Sequence, residues 1–143
     1  MKKTILYISA AMVALLALSG CRKQPAEPTL AERLCGEWRG HELSVDASIY
    51  IGFGSDGTFE LYQKMETDRY ELRRGTYTVT DDILSGCYND SEPLTYSYRI
   101  AVEEDILTMT AQTEGAETNV YRRMNIPEAV REECETVVRS GIL

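Results

Sequence analysis

From Gly36 to Met124 the apolar residues of this chain recur with a period of two, repeatedly interrupted by turn residues. That combination leaves few folds open, because alternation gives each strand one apolar and one wet face. Eight short segments carry it, at about 36–45, 47–54, 58–66, 69–80, 83–89, 94–103, 106–113 and 117–124. Gly54-Ser55-Asp56-Gly57, between Ile49-x-Ile51-x-Phe53 and Phe59-x-Leu61, is the clearest hairpin. Asp81-Asp82, Asn89 to Pro93, Glu103 to Asp105 and Glu114 to Glu117 punctuate the rest. Connections this short pair sequence neighbours antiparallel. The expected class is therefore all-β: an eight-stranded antiparallel up-and-down barrel, closed so that one face is buried and the other is wet.

Alternation also assigns the faces. Phe59, Leu61 and Met65 share one, opposite Glu60, Tyr62 and Lys64; Leu94, Tyr96, Tyr98, Ile100 and Val102 share another. Gly75-Thr76 inside the longest strand predicts a bulge or bend. At the two ends of the barrel segment the period changes. Thr29-Leu30-Ala31-Glu32 has capping-box spacing, predicting a short helical turn over Leu30 to Leu34. Pro127 and Glu128 suit a helix start and Gly141 its end, so a C-terminal helix is expected over 127–139. Its stripe of Val130, Cys134 and Val137 should lie against the outside or one end of the barrel.

Upstream, Lys2 and Lys3 precede an apolar run from Ile5 to Leu18 that is too short to span a bilayer and ends in small residues, the pattern of a signal peptide. Leu18-Ser19-Gly20-Cys21 resembles the lipobox of bacterial lipoproteins. The resemblance implies cleavage after residue 20 and lipid on Cys21, with acyl chains such as palmitate as the membrane anchor. Each buried CH₂ would contribute about 0.8 kcal/mol to that anchoring. The expected organisation is a signal peptide at 1–20, a Pro25- and Pro28-containing tether at 21–28, and one domain at 29–143. Loss of Lys2 and Lys3 takes the formal charge from −8 to −10, which argues against nucleic acid and against adsorption to anionic headgroups.

Gly36-x-Trp38 on the first strand resembles the Gly-x-Trp of lipocalins and their calycin relatives. Phe53-x-x-Asp56-Gly57-Thr58-Phe59, Gly75-Thr76-Tyr77 and the ending Tyr121-Arg122-Arg123 are similar to small lipocalin-like domains of bacterial lipoproteins. The likeness spans about residues 30–124. It implies a lipocalin-like meander barrel in which Trp38 closes one end beneath a basic residue of the last strand, either Arg122 or Arg123. Such a cation–π pair is worth around 0.5–2 kcal/mol. The departure from classical lipocalins is the first connection, near Val45-Asp46-Ala47, which reads as a tight turn where they carry a long lid.

With Cys21 assigned to lipid, Cys35, Cys87 and Cys134 remain, an odd number in an oxidising compartment. In the barrel, Cys35 and the start of the C-terminal helix share one end, the base, whereas Cys87 belongs at the opposite rim. Cys35–Cys134 is therefore the expected disulfide, since bridged Cα atoms must approach to about 4.4–6.8 Å; the alternative is three reduced thiols.

No set of residues reads as catalytic. His41 is the only histidine, which leaves no His dyad or multi-His metal site, and it is expected as a solvent-facing strand residue. The paired acids sit in turns or on the polar side of the helix and lack the alternation of a calcium loop. No phosphate loop, catalytic site, metal or cofactor is expected. The sharper candidate is a tyrosine set, Tyr77, Tyr88, Tyr96 and Tyr98, whose rings would line a cavity and whose hydroxyls would fix a ligand. The expected function is a lipid-anchored, monomeric envelope protein, on the periplasmic side of the outer membrane, that binds a small apolar or amphipathic ligand. The alternative is a protein-interaction module, or protease-inhibitor-like barrel, that meets an envelope protein through its rim loops.

Overall fold

The computed structural model describes residues 24–41, 47–65 and 68–140. The signal segment, Cys21, the Val45-Asp46 turn and Gly141 lie outside them. In chain order the elements are α1 (Leu30–Leu34), β1 (Gly36–Gly40), β2 (Ala47–Phe53), β3 (Thr58–Met65), β4 (Glu71–Thr80), β5 (Ile83–Tyr88), β6 (Tyr98–Glu103), β7 (Ile106–Ala111), β8 (Thr118–Arg123) and α2 (Glu128–Ser140). The eight strands form one closed barrel in sequence order, every pair antiparallel, with β8 returning to β1 through Trp38 opposite Arg123. The expected all-β up-and-down barrel is the observed one, with a short helix before it and a longer one after.

The hairpin after β2 forms as its residues dictate. Gly57 takes a positive φ of 81°, Gly54 N–H donates to the Thr58 carbonyl at 2.8 Å, and the Asp56 carboxylate accepts from Thr58 N–H and Oγ1. At Gly75 the expected bulge is absent: the registers to β3 and β5 run unbroken through it. The glycine is there for space. A Cβ at Gly75 would sit 2.6 Å from Phe59 Cε1, so the inner wall is left open for that ring.

Inner-facing residues pack one core, among them Leu34, Trp38, Ile51, Phe53, Leu84, Ile100 and Leu107. Helix α1 closes the base. Its capping box is formed, with Thr29 Oγ1 accepting from Glu32 N–H and the Glu32 carboxylate accepting from Thr29 N–H. Leu34 is fully buried, Arg33 donates to the Val102 carbonyl at 3.0 Å, and Trp38 Nε1 donates to the Leu34 carbonyl at 2.8 Å.

Helix α2 climbs the outer wall. Ile126, Val130 and Cys134 pack on Tyr50 and Tyr62, with Tyr70 and Leu72 alongside. Tyr62, on the face that alternation marks as wet, is therefore only 2% exposed. Polar bonds fix the helix. Arg131 pairs with Glu37 and, at 3.2 Å, with Glu60, while Ile126 N–H donates to Glu37 Oε2 at 2.6 Å and Tyr70 N–H to Glu133 at 3.0 Å.

This course separates the cysteines. Cys35, Cys87 and Cys134 are free thiols, and the expected Cys35–Cys134 disulfide is not formed. Cys134 lies nearly two turns along α2, about 9 Å of rise beyond Glu128, where its thiol faces the Tyr70 carbonyl. Cys35 stays at the base beside the Tyr77 hydroxyl, 3.8 Å away. The expectation fails because the helix does not stop at the end where it begins.

Candidate functional site

The barrel interior holds a partly open cavity of about 280 Å³. Phe53, Phe59, Ile51 and Leu84 make its deep, apolar part; all four are buried inner-facing residues. Gln63 and Asn119 bring amides to it from β3 and β8, and Tyr88, Tyr98 and Tyr121 bring phenols. Leu94 reaches it from the segment between β5 and β6. Burial pushes the Tyr121 hydroxyl up to about 12, and burial followed by the nearby Tyr88 and Tyr96 raises that of Tyr98. The Tyr98 and Tyr121 phenols are thus neutral at physiological pH, able to donate or accept a hydrogen bond. An apolar floor with a few polar groups is the usual chemistry of a small-molecule pocket, and the volume lies at the lower edge of the roughly 300–1,000 Å³ such pockets occupy.

Two of the four sequence-predicted tyrosines line this space, Tyr88 and Tyr98. Tyr77 instead seals the base: its hydroxyl donates to the Gly54 carbonyl at 2.8 Å, and its ring meets Phe53 edge-on at 5.1 Å. Tyr96 is 44% exposed and does not line the cavity. Alternation fails there because β6 begins only at Tyr98. Before it, the chain turns back on β5, with Leu94 N–H donating to the Gly86 carbonyl at 3.0 Å and Pro93 bridging Cys87. Tyr121, Gln63 and Asn119 escape the sequence reading. The register of β8 against β1 identifies the first as inward, since it places Arg123 opposite Trp38 and Tyr121 two residues away on the same face.

At the base the choice between Arg122 and Arg123 is resolved. The Arg123 guanidinium stands 4.1 Å from the Trp38 ring centre and donates to the carbonyls of Cys35 and Arg33 at 3.0 and 2.8 Å, and Asp105 lies 3.4 Å from its Nε. Arg122 faces out. Gly36 makes room for this arrangement: it adopts φ 125°, and a Cβ there would lie 2.6 Å from Arg123 Nη1. His41 follows β1 and is partly exposed, its N–H donating to the Val120 carbonyl at 2.8 Å. A second hollow of about 280 Å³ lies outside the barrel, but its charged residues, Glu37, Glu60 and Arg131, already pair with one another.

No family model and no curated protein matches this chain. Among solved structures it is similar to a protein from Bacteroides uniformis determined by NMR, at 18% identity and a TM-score of 0.55, over 67% of this chain and 93% of that one. It also matches a lipoprotein YedD from Klebsiella pneumoniae, at 12% identity and a TM-score of 0.49, over 77% and 88% of the two chains. The likeness to the Bacteroides protein is one of fold.

Proposed function

We propose that this chain is a lipid-anchored envelope protein with a lipocalin-like barrel that binds a small apolar or amphipathic ligand. The observation that carries the reading is the interior cavity, apolar at depth and edged by Gln63, Asn119 and three phenols. The lipobox-like Leu18-Ser19-Gly20-Cys21 supports the anchor and the envelope address. The proposed role is binding, because the cavity sets a few hydrogen-bonding groups around an apolar floor. Native mass spectrometry of protein gently extracted from its host membrane tests both parts. The expected result is a retained small molecule and an acylated N-terminal Cys21. Recovery of the apo mass alone, with failure to bind a fluorescent fatty-acid probe, overturns ligand binding.

A second reading has its own observation. Met65 and Tyr96 are 54% and 44% exposed at the rim, where large apolar side chains suit a protein contact. Under that reading their replacement by serine weakens capture of an envelope protein and leaves probe binding unchanged.

A further inference from the structure

Two basic side chains occupy inner-facing register positions among the described strand residues. Arg123 is committed to Trp38 at the base. The other, Arg73, sits opposite Leu61 towards the rim. Its guanidinium lies 3.5 Å from the centre of the Tyr88 ring, a wall of the cavity, and that ring in turn meets Phe59 edge-on at 5.7 Å. A cation is thus stacked directly on the cavity wall.

The carboxylate that faces it comes from an unusual place. Glu92 pairs with Arg73 at 2.7 Å, and Glu92 belongs to the returning segment between β5 and β6. There the barrel is thinnest: β5 and β6 share two register pairs, against six for β6 and β7. The segment turns at Ser91, with φ 68°, bonds back to β5 through Tyr88 N–H to the Glu92 carbonyl, and two residues later drops Leu94 into the cavity. Glu92 is largely exposed and Arg73 about a third exposed. A pair so wet is worth about 0–1 kcal/mol, so another anion can displace it at little cost.

We infer that the cavity takes a single-chain amphiphile with an anionic head, its tail among Ile51, Phe53 and Phe59 and its carboxylate or phosphate on Arg73 in place of Glu92. This rests on the proposed ligand-binding function and names its ligand class. Exchange at Arg73 would also release the Glu92–Leu94 segment, giving the tail its way in through the β5–β6 seam.

The test is calorimetric titration of the mature chain, residues 21–143, carrying Cys21→Ser; among the described residues every buried core side chain lies within it, between Leu34 and Cys134. The probes are decanoate, decyl phosphate and decanol. Both anions are expected to bind more tightly than decanol, and the tighter of the two tells a free fatty acid from a phospholipid-derived head. Arg73→Gln should weaken both anions about tenfold or more, the usual scale of a charged hydrogen bond, and leave decanol unchanged. Glu92→Gln should tighten the anions by up to about fivefold, because the competing carboxylate is gone. Equal binding of decanol and decanoate, or an Arg73→Gln chain that holds the anions as well as before, overturns the inference and leaves ligand binding standing. Failure of all three probes overturns both.

Discussion

Arg123 shows how much of the closed end depends on a single side chain. It stacks on Trp38, donates to two carbonyls that α1 and its exit leave unpaired, and draws Asp105 of the β6–β7 turn towards it. A cation–π contact of about 0.5–2 kcal/mol together with charge-assisted hydrogen bonds outweighs what a surface arginine normally contributes. Arg123→Gln is expected to cost about 2 kcal/mol and lower Tm by roughly 5–10 °C. Arg122→Gln, one residue away and facing solvent, should change stability by less than about 0.5 kcal/mol. Thermal unfolding of the two variants side by side checks the assignment. Burial raises the Cys134 thiol and Glu133 adds to the effect, so this cysteine is a weak nucleophile as well as a distant one.

Among the elements, α2 departs most from what its own sequence dictates. Val130 and Cys134 of its apolar stripe were legible, but the surface they cover was not; the side chain of Val137 lies outside the described residues. Nothing local tells Tyr62, flanked by Glu60 and Lys64, that a helix some seventy residues away will bury it. Alternation reports which side chains share a face, and only the tertiary fold decides which face is covered. The eight strands and the Gly54–Gly57 hairpin were legible for the opposite reason, being fixed by neighbours in sequence. The cavity lay between these cases. Tyr88 and Tyr98 follow from strand alternation, whereas Tyr96 was misplaced because residues 92–94 bond back to β5 before β6 begins. The attachment of α2 is acid-sensitive. At Glu60 burial favours the neutral acid, but bonds from Arg74, Tyr62 and Arg131 outweigh it and hold the carboxyl below the usual carboxylate range. A lowered folded-state value stabilises the fold above the unfolded value of about 4.3 and loses that contribution as pH falls through the folded one. Wild type should therefore exceed Glu60→Gln in urea midpoint at neutral pH, and the difference should shrink below about pH 4.

The whole barrel has an alkaline limit as well. Burial raises the hydroxyls of Tyr62, Tyr77, Tyr98 and Tyr121, the last to about 12 from 10.0. Unfolded tyrosines ionise near pH 10, so the folded state binds these protons more tightly and its advantage is complete below that pH. Between pH 10 and about 12 Tyr121 alone would cost up to about 1.4 kcal/mol per pH unit. Absorbance at 295 nm should show a cooperative step above pH 10 in which these four tyrosines ionise as the barrel opens. A smooth titration of Tyr62, Tyr77, Tyr98 and Tyr121 centred near pH 10 would contradict this packing.

The plug formed by α1 has a consequence for traffic. The exposed segment of residues 24–29 enters the barrel at its sealed end, beside Leu34 and Trp38. With the anchor at Cys21 as proposed, the bilayer that holds the protein lies on the side with no doorway. Cargo would then have to arrive from the aqueous compartment or from a donor facing the far end, so the protein would be built to receive from across the gap rather than to extract from its own membrane.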